Sequence, residues 1–258
     1  MSTGEMTSDR FGRAVERRDG ADFPFHDGSP TGISTGRWAA VWLACGAAFL
    51  VLTLTPGSGV VAFLAQVAFT AIMLGALAWA VGRNWTALFR RVRLRDVGLM
   101  AGFAVLSLLV SSVMAIIVRL LFTTSANPLA TQPLGGIGQD VLRWGGEAVQ
   151  LLGEELLTML PFLALLHVLT ARAGLSHRPA VLLAWLATAV WFGALHLPTY
   201  DWNVAQALLI IGSARLVLTL AYIRTKNLWV STGAHILYDS IGLVLVPVMS
   251  ATAAVLAA

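Results

Sequence analysis

From Trp38 onward the chain is a succession of long apolar runs separated by short polar breaks. The runs predict membrane spans near 38–55, 59–82, 98–122, 141–170, 180–197, 204–223 and 228–256. Each has the ~20 apolar residues a helix needs to cross the hydrocarbon core. The fourth and seventh runs are longer than one crossing requires. "DVLRWGGEAVQ", at the head of the fourth, predicts an interfacial or separate helix with Gly145-Gly146 as a flexible point. Pro247 predicts a kink or split in the last run, so seven and eight crossings both stand. The fold class expected is all-α, a polytopic helical membrane protein with 7–8 transmembrane helices around a buried polar site, occupying residues 37–258. Residues 1–36 are polar, rich in Gly, Ser and Thr and mixed in charge. Too little apolar surface is present there to offset ordering, which predicts a disordered cytoplasmic tail. A short amphipathic helix around Phe11–Arg18 is its one ordered alternative. Nothing near Met1 has the short apolar core and small-residue cleavage site of a signal peptide.

Composition supports the membrane reading. The chain is 57% hydrophobic and only 12% charged, where a soluble domain carries about 25% charged residues. Cys45 is the single cysteine, which excludes a disulfide framework and a cysteine-based metal site. The net charge of +4 does not indicate nucleic acid as a partner. Sixteen of the seventeen basic residues are Arg, and many flank the apolar runs. The loop after the second run holds Arg83, Arg90, Arg91, Arg93 and Arg95, and the loops at 171–179 and 224–227 hold Arg172, Arg178, Arg224 and Lys226. The alternate loops, "TPGS", "TTSANPLATQPLGGIGQ" and "PTYDWN", contain no Lys or Arg. Every alternation fits a cytoplasmic N-terminus in a multi-pass protein of the bacterial inner membrane. No internal inverted repeat points to a transporter.

Few ionisable residues fall inside the runs: Glu154 and Glu155 in the fourth, His196 closing the fifth, Arg215 in the sixth, and His235 and Asp239 in the seventh. Charged groups at such depth are costly, and they mark functional sites facing the bundle interior. Arg119, Arg143 and His167 lie near enough to the ends to snorkel and are set aside. His235 and Asp239, four apart, share a helix face with Ser231 one turn earlier. Glu154 and Glu155 point about 100° apart on a helix, so their roles differ. One can face a cavity while the other meets a neighbouring helix. Gly193 permits close backbone approach beside Phe192 and His196. A Glu, two His and an Asp converging from three helices can activate water, with Glu as general base and His as proton carrier or oxyanion donor. The same groups could ligate a divalent metal such as zinc, so the cofactor is left open between a divalent metal and none. A packed helix-to-helix hydrogen bond for each His, and an ion pair for Glu155, are the non-chemical readings.

Three strings, "EELLTML" (Glu154–Leu160), "FGALH" (Phe192–His196) and "HILYD" (His235–Asp239), resemble the CPBP intramembrane protease family. This group is also called the Abi or CAAX-protease family and includes the type II CAAX prenyl endopeptidases. The likeness covers a protease-like core of about 140–245. It implies an intramembrane endopeptidase acting on a membrane-embedded or membrane-tethered peptide or protein. Glu154 would activate water with His196 as its partner, His235 and Asp239 would steady the tetrahedral intermediate, and Glu155 would be structural. It leaves a glutamate-dependent and a metallo-endopeptidase mechanism both open, the metal drawn from His196, His235, Glu154 and Asp239. A binding-only relative, such as a bacteriocin self-immunity factor, is the alternative function, and a proton-relay transporter a third.

Two positions depart from the family pattern. Its Arg falls at Met159, so Glu155 lacks its partner one turn away, and Arg215 is expected to pair across helices with Glu155 or Asp239. Asp239 stands where many relatives have Asn and cannot donate unless protonated. At ~1.5 Å per residue, Glu154 and His196 lie roughly 24 Å deep, Asp239 roughly 17 Å and His235 roughly 11 Å. The last two need helix tilt or a deeper start of the seventh span to join the first two. A presenilin-type Gly-x-Gly-Asp, a rhomboid-like Gly-x-Ser-Gly and a His-Glu-x-x-His zinc helix are all absent.

Overall fold

A computed structural model describes Phe11, Val15 and residues 21–55, 57–126 and 136–256, with side chains described as far as Gly242. Among the described residues there is no β-strand. The long helices are α1 (Thr35–Leu54), α2 (Val60–Val81), α3 (Leu94–Leu121), α4 (Ile137–Ala171), α5 (His177–Leu195), α6 (Gly212–Thr225) and α7 (Leu228–Leu256). A wide π-type turn, Gln206–Ile211, leads into α6. Six of these segments are long and apolar enough to cross a membrane. The chain is a multi-pass helical membrane protein.

Helix α4 is the central pillar. Of its most apolar stretch 72% is buried inside the protein, against 22% for α1 and for α3, whose apolar faces turn outward. It packs against α1, α2, α5 and α7. The Gly145-Gly146 break expected from sequence does not occur, and Pro161 is accommodated inside the same unbroken helix. Gly146 and Gly153 serve close packing instead. A Cβ on Gly153 would lie 2.5 Å from Phe69 and from the Thr70 hydroxyl, and one on Gly146 would strike the Gln66 side chain. Seven residues apart, Gly146 and Gly153 share one face of α4, and that face receives α2. Thr70 ties the contact by donating to the Val149 carbonyl at 2.7 Å. Likewise α7 runs unbroken past Pro247, so the described chain has seven long helices rather than eight.

Inter-loop contacts sort the connections onto two opposite faces. On one, Arg172 donates to Thr35 Oγ1 at 3.1 Å and the Arg90 amide to Asn227 Oδ1 at 3.0 Å. On the other, Asn203 donates to the Thr123 carbonyl at 2.5 Å, and Gln206 exchanges two hydrogen bonds with the Ser125 backbone, at 2.8 and 2.9 Å. The arginine-rich loops thus gather on one face and the loops without Lys or Arg on the other.

The segment ahead of α1 departs from the disordered tail expected for residues 1–36. Phe23, Phe25 and Ile33 are buried, and Phe23 sits against Phe162 and Tyr222 with ring centroids 5.2 and 6.2 Å away. The polar composition concealed three well-spaced apolar anchors. The helix considered around Phe11–Arg18 lies mostly outside the described residues. On the same face Lys226, Asn227 and Leu228 are themselves buried. His235 nonetheless comes level with Glu154, its Nε2 lying 3.9 Å from Glu154 Oε2.

Gly153→Ala is expected to destabilise the protein by ~1–3 kcal/mol through overpacking against Phe69 and Thr70. Gly145→Ala, where a Cβ meets nothing within 4 Å, is expected to stabilise α4 by roughly 0.5–1 kcal/mol. Thermal unfolding of both variants in lipid nanodiscs checks the opposite signs.

Candidate active site

Midway along α4 the two adjacent glutamates part company. Glu155 is fully buried and turns to α6 and α7. Its Oε1 receives Arg215 Nη2 at 2.6 Å and His235 Nδ1 at 2.9 Å. Arg215 is also fully buried, with its guanidinium carbon 4.9 Å from the centre of the Phe192 ring. Met159, where the family pattern has its Arg, is packed into the apolar core instead. The cation opposite Glu155 therefore comes from another helix. Two buried charges are tolerated here because they meet at hydrogen-bond distance through Nη2 and Oε1. Among the described residues, Arg215 Nε and Nη1 and Glu155 Oε2 find no further hydrogen-bond partner.

Glu154 faces a cavity of about 360 Å³. Gln150, one turn earlier, donates to its Oε1 at 2.9 Å, and Gln66 of α2 donates to the Gln150 side-chain oxygen Oε1 at 3.1 Å. The other oxygen, Oε2, lies 3.9 Å from His235 Nε2, and Asp239 Oδ2 lies 3.7 Å from that same nitrogen. Because Glu155 accepts at Nδ1, His235 carries its Nδ1 proton there and turns Nε2 to the two carboxylates. His196 closes α5, where its Nδ1 donates back to the Phe192 carbonyl at 2.8 Å. That bond leaves its Nε2 available to the cavity it lines. The Phe192 ring packs 4.5 Å from His196 and 6.4 Å from His235, spacing the two imidazoles. Glu154, Glu155, His196, Arg215, His235, Asp239 and Phe192 thus meet at one place.

Several further members of the site are not conspicuous in the sequence. Glu147, Gln150 and Arg143 lie along α4, Tyr200 follows the end of α5, Tyr238 stands on α7 and Gln66 on α2, and all line the cavity. Arg143, set aside as a snorkelling residue, belongs to this wall and pairs with Asp140 at 3.5 Å. The signal for Gln150 and Glu147 was present, since they precede Glu154 by four and seven residues on one helix face. Burial, together with Tyr238, Asp239 and Glu154 nearby, pushes the Tyr200 phenol above its ordinary range. It therefore stays a hydrogen-bond donor. The wide turn at Gln206–Ile211 had no sequence signal. It brings the Ala207 carbonyl so near Gly193 that a Cβ there would lie 2.7 Å from it, a distortion of the kind that clusters at functional sites.

The cavity reaches from mid-helix toward one face only. Arg143 near the start of α4, and Thr199 and Tyr200 between α5 and α6, lie at the face whose loops lack Lys and Arg. As to a metal, His235 Nε2 approaches both Glu154 and Asp239, yet no three ligand atoms of Glu154, His196, His235 and Asp239 lie within 4.8 Å of one another. Among the described residues only Asp22, His26 and His177 gather that tightly. The cavity's donors do not form a compact metal cage.

Compared with known families, residues 147–241 match the model described as Type II CAAX prenyl endopeptidase Rce1-like. No curated protein and no solved structure matches. The matched segment contains all seven of the convergent residues.

Removing one member of the Glu155–Arg215 pair strands the other as a buried charge, at a cost of ~3–5 kcal/mol. Glu155→Gln and Arg215→Met are each expected to destabilise on that scale, and the double variant by clearly less than their sum. A double-mutant cycle on unfolding in nanodiscs measures the coupling.

Proposed function

We propose, from the match of residues 147–241 to the type II CAAX prenyl endopeptidase Rce1-like model, that the core of this chain is of the CPBP (Abi/CAAX-protease) type and hydrolyses peptide bonds in membrane-associated substrates by glutamate-activated water. The observation that carries this reading is the division of labour between adjacent acids. Glu155 is neutralised by Arg215, while Glu154 keeps its second oxygen toward the cavity, between Gln150 and His235.

In the reaction, Glu154 accepts a proton from water as the oxygen attacks the scissile carbonyl carbon. The resulting oxyanion is met by donors at fixed positions, the Nε2 groups of His196 and His235 when protonated and the Tyr200 phenol. The C–N bond then breaks, and the proton held by Glu154, relayed through His235, passes to the leaving amine. Asp239 holds His235 in place rather than serving as an oxyanion donor. Gln66 and Gln150 orient the base. The spacing of the cavity's donors does not favour a metal among them. A complete acid–base set favours catalysis over a binding-only role.

Charge decides where the substrate enters. If the arginine-rich face is cytoplasmic, the N-terminus is cytoplasmic too, in the manner of a bacterial inner-membrane protein. The cavity, which extends toward the opposite face, then receives substrate from the non-cytoplasmic side. The substrates expected are peptides or membrane-tethered segments presented there, rather than a lipidated tail on the cytoplasmic surface.

Glu154→Gln is expected to lower turnover ~10²–10⁴-fold with the thermal midpoint unchanged, read by comparing membrane peptides in cells carrying each form. Gln150→Leu should lower kcat with little change in KM. Sidedness is tested with single cysteines, since Cys45 is buried and silent. Thr199→Cys should react with an impermeant maleimide added outside intact cells, and Ala173→Cys only after lysis.

A further inference from the structure

A second cluster of chemistry-bearing side chains lies on the arginine-rich face, away from the protease cavity. Asp22 and His26 come from the segment ahead of α1, and His177 opens α5. Asp22 Oδ1 is 3.2 Å from His177 Nε2, and Asp22 Oδ2 is 3.8 Å from His26 Nε2. The three offer one ligand atom each, all within 4.8 Å of one another. The side chains are 24%, 7% and 19% exposed in chain order, open enough for an ion to enter from water.

We propose that Asp22, His26 and His177 form a zinc-binding clamp that fastens the segment ahead of α1 to the helix bundle. The chemistry is that of a borderline divalent ion, with two imidazole nitrogens and a carboxylate from the protein and a fourth position for water. Around a tetrahedral zinc with ligands at ~2.0–2.1 Å, donor atoms stand about 3.3 Å apart. Asp22 Oδ1 and His177 Nε2 are close to that spacing at 3.2 Å, and His26 Nε2 lies 3.8 Å from the other carboxylate oxygen. The tautomer of His26 points the same way. Its Nδ1 donates to the Phe23 carbonyl at 3.0 Å, as the outer nitrogen of metal-bound histidines commonly does. The lone pair on Nε2 then faces a carboxylate oxygen. Such a facing pair is bridged by a cation, either a proton on the imidazole or a metal ion. A proton would satisfy one imidazole, whereas a divalent ion satisfies both imidazoles and the carboxylate at once.

The backbone around His26 is built to hold it. Phe25 adopts φ +72°, an unfavourable conformation for a side chain of this size, and its amide donates to the Ser29 carbonyl at 2.7 Å. His167 of α4 adds a contact from its Nδ1 to the His26 carbonyl at 3.4 Å. The clamp also has a reason to exist. Phe23, beside Asp22, is packed on Phe162 and Tyr222. Phe162 lies two turns beyond Glu155 on α4, and Tyr222 two turns beyond Arg215 on α6. Fastening this segment braces the same two helix faces that hold the buried ion pair.

The test uses full-length untagged protein in nanodiscs, stripped of metal by a chelator and titrated with Zn²⁺, with Co²⁺ as a spectroscopic probe. The expected result is one ion per chain and Co²⁺ absorption of tetrahedral type. Affinity should fall at least ~10-fold in His26→Gln and in His177→Gln, and stay unchanged in Glu154→Gln. Chelation should also speed proteolysis within residues 21–34. Should either His variant fail to fold, the spectrum and proteolysis of the wild-type protein carry the test. The clamp is overturned if the stripped protein takes up no Zn²⁺. It is also overturned if the ion persists in both His variants, or is lost in Glu154→Gln, which would place it in the protease cavity. None of these outcomes bears on whether the cavity hydrolyses peptides.

Discussion

The buried contact between Glu155 and Arg215 is the constraint on which the rest of this protein depends. Two full charges with no exposure to solvent are tolerable only when they meet at hydrogen-bond distance. That requirement fixes α4 against α6. Because the same Glu155 oxygen also receives His235, it fixes α7 as well. The pair is expensive to bury and specific for that reason: sliding any of the three helices by one turn would strand a charge in a low-dielectric interior. Three helices are thereby set in register at the level of the polar cavity.

This register separates the roles of neighbouring atoms. With Glu155 neutralised, its neighbour Glu154 points into a polar cavity and takes only part of its hydrogen bonding from Gln150. The imidazole of His235 joins the two environments, with Nδ1 on the structural acid and Nε2 toward the cavity acids. A ring held at one nitrogen cannot turn, so the other is preorganised for the developing charge of a transition state. The same logic recurs at His196, whose Nδ1 is spent on the last turn of its own helix. Close packing supports all of this from behind, where Gly153 admits Phe69 and Thr70 against α4.

Much of the architecture was legible in the residues. The apolar runs, the sign of the loops and the isolation of six ionisable groups within the runs were enough to define a polytopic helical protein with a buried polar centre. Periodicity showed that Glu154 and Glu155 must diverge. Local patterns misled where packing overruled them. Gly145-Gly146 and Pro247 read as breaks, yet both lie in unbroken helices. Residues 21–34 read as a solvated tail because average polarity conceals individual anchors, and Phe23, Phe25 and Ile33 are such anchors. The depth mismatch between His235 and Glu154 came from counting residues along each span separately, whereas the packing of α7 on α4 sets His235 Nε2 3.9 Å from Glu154 Oε2.

By itself the sequence determined that charges would be placed in a hydrophobic interior, and which side chains would carry them. The cost of desolvation makes such residues conspicuous without any knowledge of their neighbours. It left two acids, Glu155 and Asp239, as equally good partners for Arg215, because spacing along a chain holds no information about distance between helices. Only the tertiary structure decided for Glu155, through the packing of α6 and α7 around α4. It also decided that Gln66, from a helix outside the matched family segment, would bond to Gln150 beside Glu154, and that Asp22, His26 and His177 would come together on the arginine-rich face. Contacts between residues so far apart in the chain arise from packing, and no local pattern encodes them.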